Sequence, residues 1–153
     1  MVEPYLAVLI LGLLLILILS PARRAVVHLA SYLASRYQDA RLASRRAEAL
    51  LREVLSSEEH ARLLERGYLD VRSPSRPSRV YRIPRDGGIV VMRENGRSVG
   101  GLCVQSIEPI PVADTVAMHK LMIEGAEEDY LRQANHLSVG ALSRYGLGVL
   151  YER

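Results

Sequence analysis

Hydrophobic and polar positions change rhythm three times along this chain. From Pro4 to Ala22 no residue is charged, and Tyr5 to Leu19 (YLAVLILGLLLILIL) is apolar on every face of a helix. At about 1.5 Å per residue that neutral run reaches ~28 Å, close to a hydrocarbon core of about 30 Å. A helix apolar all round is a membrane span or the centre of a large core, and so short a chain offers no such core. The pattern predicts a single transmembrane helix within residues 1–22. Glu3 precedes it, while Arg23, Arg24, Arg36 and Arg41 follow with only Asp39 opposing. The positive-inside bias then leaves the N-terminus outside and the remainder cytoplasmic, as a single-pass inner-membrane protein. Ser20, Pro21 and Ala22 also fit a small-x-small cleavage site, but a secretory leader begins with positive charge and this one carries Glu3.

The second rhythm is helical and polar. Ser20 before Pro21 reads as an N-cap and first helical residue, so a new helix starts there. No Gly or Pro interrupts Ala22 to Leu55, and Val26, Ala30, Leu33 and Tyr37, then Ala47, Leu51 and Val54, recur at helical spacing. Pro21 to Arg52 holds seven Arg against Asp39 and Glu48, a local charge of +5. Residues 23–48 are thus a basic juxtamembrane helix whose Arg23, Arg24, Arg36 and Arg41 contact anionic lipid, or a solvated stalk.

The third rhythm predicts an α+β domain over residues 49–137, followed by a loose or docking tail over 138–153. Ser56 and Glu59 have capping-box spacing, and the helix they open stops at Gly67. Tyr68 to Arg72 alternates as a strand, and the Pro- and Ser-rich Ser73 to Ser78 cannot lie inside a sheet. Val80 to Ile83, Ile89 to Met92 and Ser98 to Gln105 read as further strands, the last two joined by the hairpin dipeptide Asn95 and Gly96. Tight turns between consecutive strands predict an antiparallel meander. Asp114 or Thr115 caps a helix stopped by Gly125, and a second helix runs from Ala126 to Leu137 with Glu127, Glu128 and Asp129 in its first turn.

Composition narrows the chemistry. The 153 residues are 49% hydrophobic and 24% charged, which excludes a disordered polar chain and a wholly embedded one. A net charge of +3 does not by itself argue for nucleic acid. One cysteine, Cys103, excludes an internal disulfide framework and a multi-cysteine zinc site. No neighbour in sequence supplies the base and lowered pKa that a thiol nucleophile needs, so Cys103 reads as core. His119 follows Asp114 by five residues, on a different helical face, and His28, His60, His119 and His136 form no metal-ligand spacing. No catalytic residue, cofactor site or metal site is predicted. The suggestive polar feature is Arg72 to Leu102, with seven Arg against Asp86 and Glu94. Arg76, Arg79, Arg82, Arg85, Arg93 and Arg97 are candidates to grip a polyanion or acidic partner. Cys103 to Leu137 carries Lys120 and Arg132 against six acids, so pairing between the two halves is expected to absorb much of that charge.

The segments LSSEEHARLLERGYLDV, VYRI, the strand ending LCV and ADTVAMHKLMIEGAEEDYLRQAN resemble a small uncharacterised α+β domain recurring in hypothetical proteins of bacteria and phages. The resemblance covers about residues 50–137 and implies a capped helix, three of the strands and a closing helix pair, with no assigned activity. Many members carry His two residues after the Cys, where this chain has Gln105. The sequence as a whole predicts a transmembrane helix, a juxtamembrane helix and a small antiparallel sheet packed with three helices. The expected role is a non-enzymatic, membrane-anchored cytoplasmic module binding a protein partner and membrane lipid. The alternatives are a nucleic-acid or polyanion binder using the six arginines and, third, an enzyme using Cys103.

Overall fold

The computed structural model describes residues 3–19, 21–104 and 106–144. The chain divides into two compact units, Met1–Leu42 and Ala43–Arg153. The first contains α1 (Glu3–Leu19) and the beginning of α2 (Pro21–Val54), which ends in the second. The described side chains of α1, from Tyr5 to Leu13, are exposed, and in α2 the Arg41 guanidinium lies 4.5 Å from the centre of the Tyr37 ring.

The membrane span is corrected by the helix boundaries. α1 has 17 residues and ends at Leu19, so at about 1.5 Å each it covers ~25 Å, below the roughly 20 residues a span needs. Ser20 lies outside the described residues, and the neutral residues counted beyond it belong to α2, whose first turn includes Arg23 and Arg24. Among the described residues no helix is long and apolar enough to cross a membrane. The single-pass topology, the outside N-terminus, the inner-membrane location and the anchored fold class therefore do not stand. The α+β architecture does.

In the second unit, α3 (Ser57–Arg66) opens with the capping box in full: Glu59 N–H donates to Ser56 Oγ at 3.2 Å and Ser56 N–H to Glu59 Oε2 at 2.8 Å. Gly67 ends the helix at φ 76, a left-handed position that a Cβ would disfavour. The chain then runs through β1 (Tyr68–Arg72), β2 (Arg79–Pro84), β3 (Val90–Glu94) and β4 (Arg97–Cys103). Asn95 and Gly96, at φ 49 and 79, make the tight turn between β3 and β4. β4 is shorter than the sequence suggests, and Gln105 lies outside the described residues.

α4 (Val112–Gln133) consists of two helical segments joined at a kink, matching the expected helix pair. The backbone leaves helical angles at Ala126 (φ −154, ψ 59), so the break falls beside Gly125, where the sequence ends one helix and begins the next. Pro111, and neither Asp114 nor Thr115, sits at its N-cap. The helix also ends earlier, and Asn135–Leu137 forms a fifth strand, β5, antiparallel to β4. The five-stranded sheet has the order β1-β2-β3-β4-β5 with every pair antiparallel.

Alternation along the strands separates two faces. Leu69, Val71, Tyr81, Ile83, Val90 and Leu102 meet Val116, Ile123 and Tyr130 of α4, Leu63 of α3, and Ala47, Leu51 and Leu55 from the end of α2 and the turn after it. On the other face α5 (Val139–Arg144) brings Leu142 against Gly101. A Cβ on Gly101 would lie 2.6 Å from Leu142 Cδ2 and 2.9 Å from Ile89 Cγ2, so any larger residue forces these side chains to shift. The tail thus docks through α5, and residues 145–153 lie outside the described residues.

Candidate functional site: the open edge of the sheet

β1 is an outer strand, and its pairing with β2 decides which peptide groups remain outward. Arg85 N–H donates to Gly67 C=O at 2.8 Å and Ser73 N–H to Arg79 C=O at 3.1 Å. With Leu69 opposite Ile83 and Val71 opposite Tyr81, the odd-numbered residues of β1 exchange hydrogen bonds with β2. The N–H and C=O groups of Asp70 and Arg72 therefore point away from the sheet.

They open onto a groove of about 400 Å³ lined by Tyr68 to Arg72, by Glu59, Arg62 and Arg66 of α3, and by Glu124 of α4. Its acids are already engaged. Lys120 Nζ, nearly buried, donates to Glu59 Oε1 at 2.9 Å and Glu124 Oε1 at 2.5 Å. Burial works against the charged Lys120, yet these two carboxylates hold its pKa above the usual value. Arg82 grips Asp70 with Nε and Nη2 at 2.8 and 2.9 Å, and its guanidinium lies 3.8 Å from the centre of the Tyr68 ring. Arg62 pairs with Glu58 on its own helix. Arg66 and Arg72 are exposed and have no partner among the described residues, so the groove carries unmatched positive charge at both ends of β1.

Behind the end of β1 a buried polar hub fixes the turn into β2. Glu127, beside the kink of α4, accepts from Ser73 Oγ at 2.6 Å, Tyr81 Oη at 2.5 Å and Ser75 N–H at 3.0 Å. Burial alone would raise the Glu127 pKa, but these hydrogen bonds outweigh it and hold the carboxyl down at about 2. Tyr81 is pushed up to about 12 by burial and by that carboxylate. Arg79 Nη1 stands 3.9 Å from Glu127 and Nη2 2.6 Å from Glu94. Glu127, expected only to face the helix dipole, is thus the residue that sequence reasoning missed. Its partners lie about fifty positions away, and no local pattern marks them.

The six candidate arginines do not form one surface. Arg79 and Arg82 are buried in ion pairs with Glu94 and Asp70. Arg76 lies 3.8 Å from Glu94 and Arg93 donates to Gly96 C=O, at the end of the sheet where Arg97 stands opposite Glu94. Arg85 is at the other end of β2. Among the described residues, Arg79 with Glu127 is the one ion pair joining the strand segment to the acidic helix. Of the proposed lipid contacts, Arg23, Arg36 and Arg41 are exposed on α2, and the Arg24 side chain lies outside the described residues.

Histidine and cysteine do not converge. His119 is fully buried on α4, with Nδ1 2.9 Å from Tyr130 Oη and Nε2 without a partner among the described residues; burial pulls its pKa down to about 4. Cys103 is half-buried in β4 with no hydrogen-bonding partner among the described residues. His28 and His136 are exposed, and His60 is half-buried. No group of three metal-ligating side chains occurs among the described residues. No family model, curated protein or solved structure matches the chain.

Proposed function

We propose that the unit beginning at Ala43 acts by binding a polypeptide, without catalysis of its own, and that it does so along the open edge of β1. The observation that carries this reading is the outward pair of peptide groups at Asp70 and Arg72, facing a groove whose arginines at both ends are unmatched. An extended segment laid beside β1 satisfies those groups at the usual spacing of about 4.8 Å and gains main-chain hydrogen bonds irrespective of its own sequence. Selectivity then comes from side chains meeting Arg66 and Arg72. Cys103 and His119, the groups with nucleophilic or proton-transfer chemistry, lie apart from this groove and do not line it.

The test places a photo-crosslinking amino acid at Arg66, which lines the groove, and at Arg132, which does not, in cells making the full chain. Position 66 is expected to yield polypeptide adducts at least tenfold above position 132. Equal labelling, or adducts with nucleic acid alone, contradicts the reading and in the second case supports a polyanion surface.

A further inference from the structure

We propose that the polypeptide laid along β1 is a second copy of this chain, paired antiparallel about a two-fold axis at Val71. Asp70 of each copy then stands opposite Arg72 of the other. This inference rests on the reading of the β1 edge as a binding surface and adds the identity of the occupant.

Parity restricts the choice. In an antiparallel ladder, hydrogen-bonded pairs form between residues whose peptide groups both face the partner, and in β1 these are the even-numbered positions. An axis at Asp70 sets two aspartates directly opposite, which repel. An axis at Leu69 sets Asp70 opposite Tyr68 and gives Arg72 no acid within the strand. An axis at Val71 sets Asp70 opposite Arg72 twice, so one strand contains both halves of a self-complementary contact.

The side chains are ready for it. Arg72 is exposed and without a partner among the described residues. Each Asp70 oxygen accepts one bond from Arg82 and keeps a second acceptor site for Arg72 of the other copy. Four main-chain hydrogen bonds form between the copies, two from each Asp70 and Arg72 pair. The ladder ends at Pro74, which would stand opposite Tyr68 and has no N–H to donate. Joining the two outer strands turns two five-stranded sheets into one of ten and removes the long edge of each.

The experiment uses the full chain carrying Cys103→Ser. Single-cysteine variants Asp70→Cys and Arg72→Cys are prepared separately, mixed, and oxidised gently, with Arg132→Cys as control. Facing residues in such a pair have Cα atoms about 5.5 Å apart, inside the range a disulfide bridges. The mixed 70-to-72 product is expected to form at least tenfold faster than either self-product or the control. Fastest self-linking of Asp70→Cys overturns the proposed axis, and linking no faster than the control overturns the second copy as occupant. Because Asp70→Cys gives up its bond to Arg82, a second measurement keeps that pair intact. Arg72→Glu is expected to weaken self-association at least tenfold in sedimentation equilibrium, and unchanged association overturns the proposal. If these tests fail while the crosslinker at position 66 still captures another polypeptide, the edge reading survives and only the second copy is lost; failure of both removes both.

Discussion

Tyr81 Oη donates to Glu127 Oε1 across 2.5 Å, tying the second strand to the kinked turn of α4. The same carboxylate holds Ser73 and Ser75, so one side chain closes the turn at the end of β1 and anchors the helix above it. Glu127→Ala strips three donors, two of them buried, of their acceptor at once. Its expected effect is a loss of about 3 kcal/mol in urea unfolding. A loss below about 1 kcal/mol would show that the hub is solvated and not a structural joint.

Acid should unfold the protein in two stages. The folded pKa of His119, about 4, lies below its ordinary 6.5, so its contribution is complete above pH 6.5 and lost as pH falls toward 4. Glu127, held at about 2 against an ordinary 4.5, contributes fully above pH 4.5 and loses that contribution between 4.5 and 2. Each is worth on the order of 3 kcal/mol by linkage. His119→Phe is expected to flatten unfolding free energy between pH 6.5 and 4 and leave the lower stage in place. Denaturation at stepped pH reads both.

The contact of α5 with the sheet depends on a missing methyl. Gly101→Ala drives a Cβ into Leu142 and Ile89, and about 1–3 kcal/mol of destabilisation is expected. In a Leu142→Ala background the same change should cost less than half as much, which a double-mutant cycle measures. Equal costs in both backgrounds would mean that α5 does not seat where Leu142 places it.

Local signals at the start of α3 carry a smaller expectation. Ser56→Ala removes the acceptor for Glu59 N–H and should lower stability by about 1 kcal/mol in thermal unfolding, with Ser56→Asp restoring most of it.

Those local features were the legible ones. The Ser56 and Glu59 box, the left-handed Gly67, the Asn95 and Gly96 turn and the alternation of β1 each fit within a few residues, where spacing alone settles geometry. Features set by tertiary partners are not legible in this way. The break beside Gly125 is legible, whereas the burial of Glu127 just past it is not. Asn135–Leu137 is a strand because β4 offers an edge, which three residues cannot announce. The neutral run at the start extends past the break that Ser20 and Pro21 mark in the sequence, so only its part up to Leu19 belongs to α1. Of the candidate site, Arg72 enters the sequence pattern only as part of a charge total. Its significance needs the strand order and the parity of β1, and Arg79 and Arg82, which the total counted as available, are spent on Glu94 and Asp70.

The most direct test of the open edge is amide hydrogen exchange at Asp70 and Arg72, measured on the full chain as isolated with any polypeptide it holds, and again after Arg72→Glu. A bound neighbour on β1 predicts that both amides exchange at least tenfold more slowly than exposed strand amides, and that the substitution releases them. Exchange at the open rate in both proteins would mean that nothing pairs with β1.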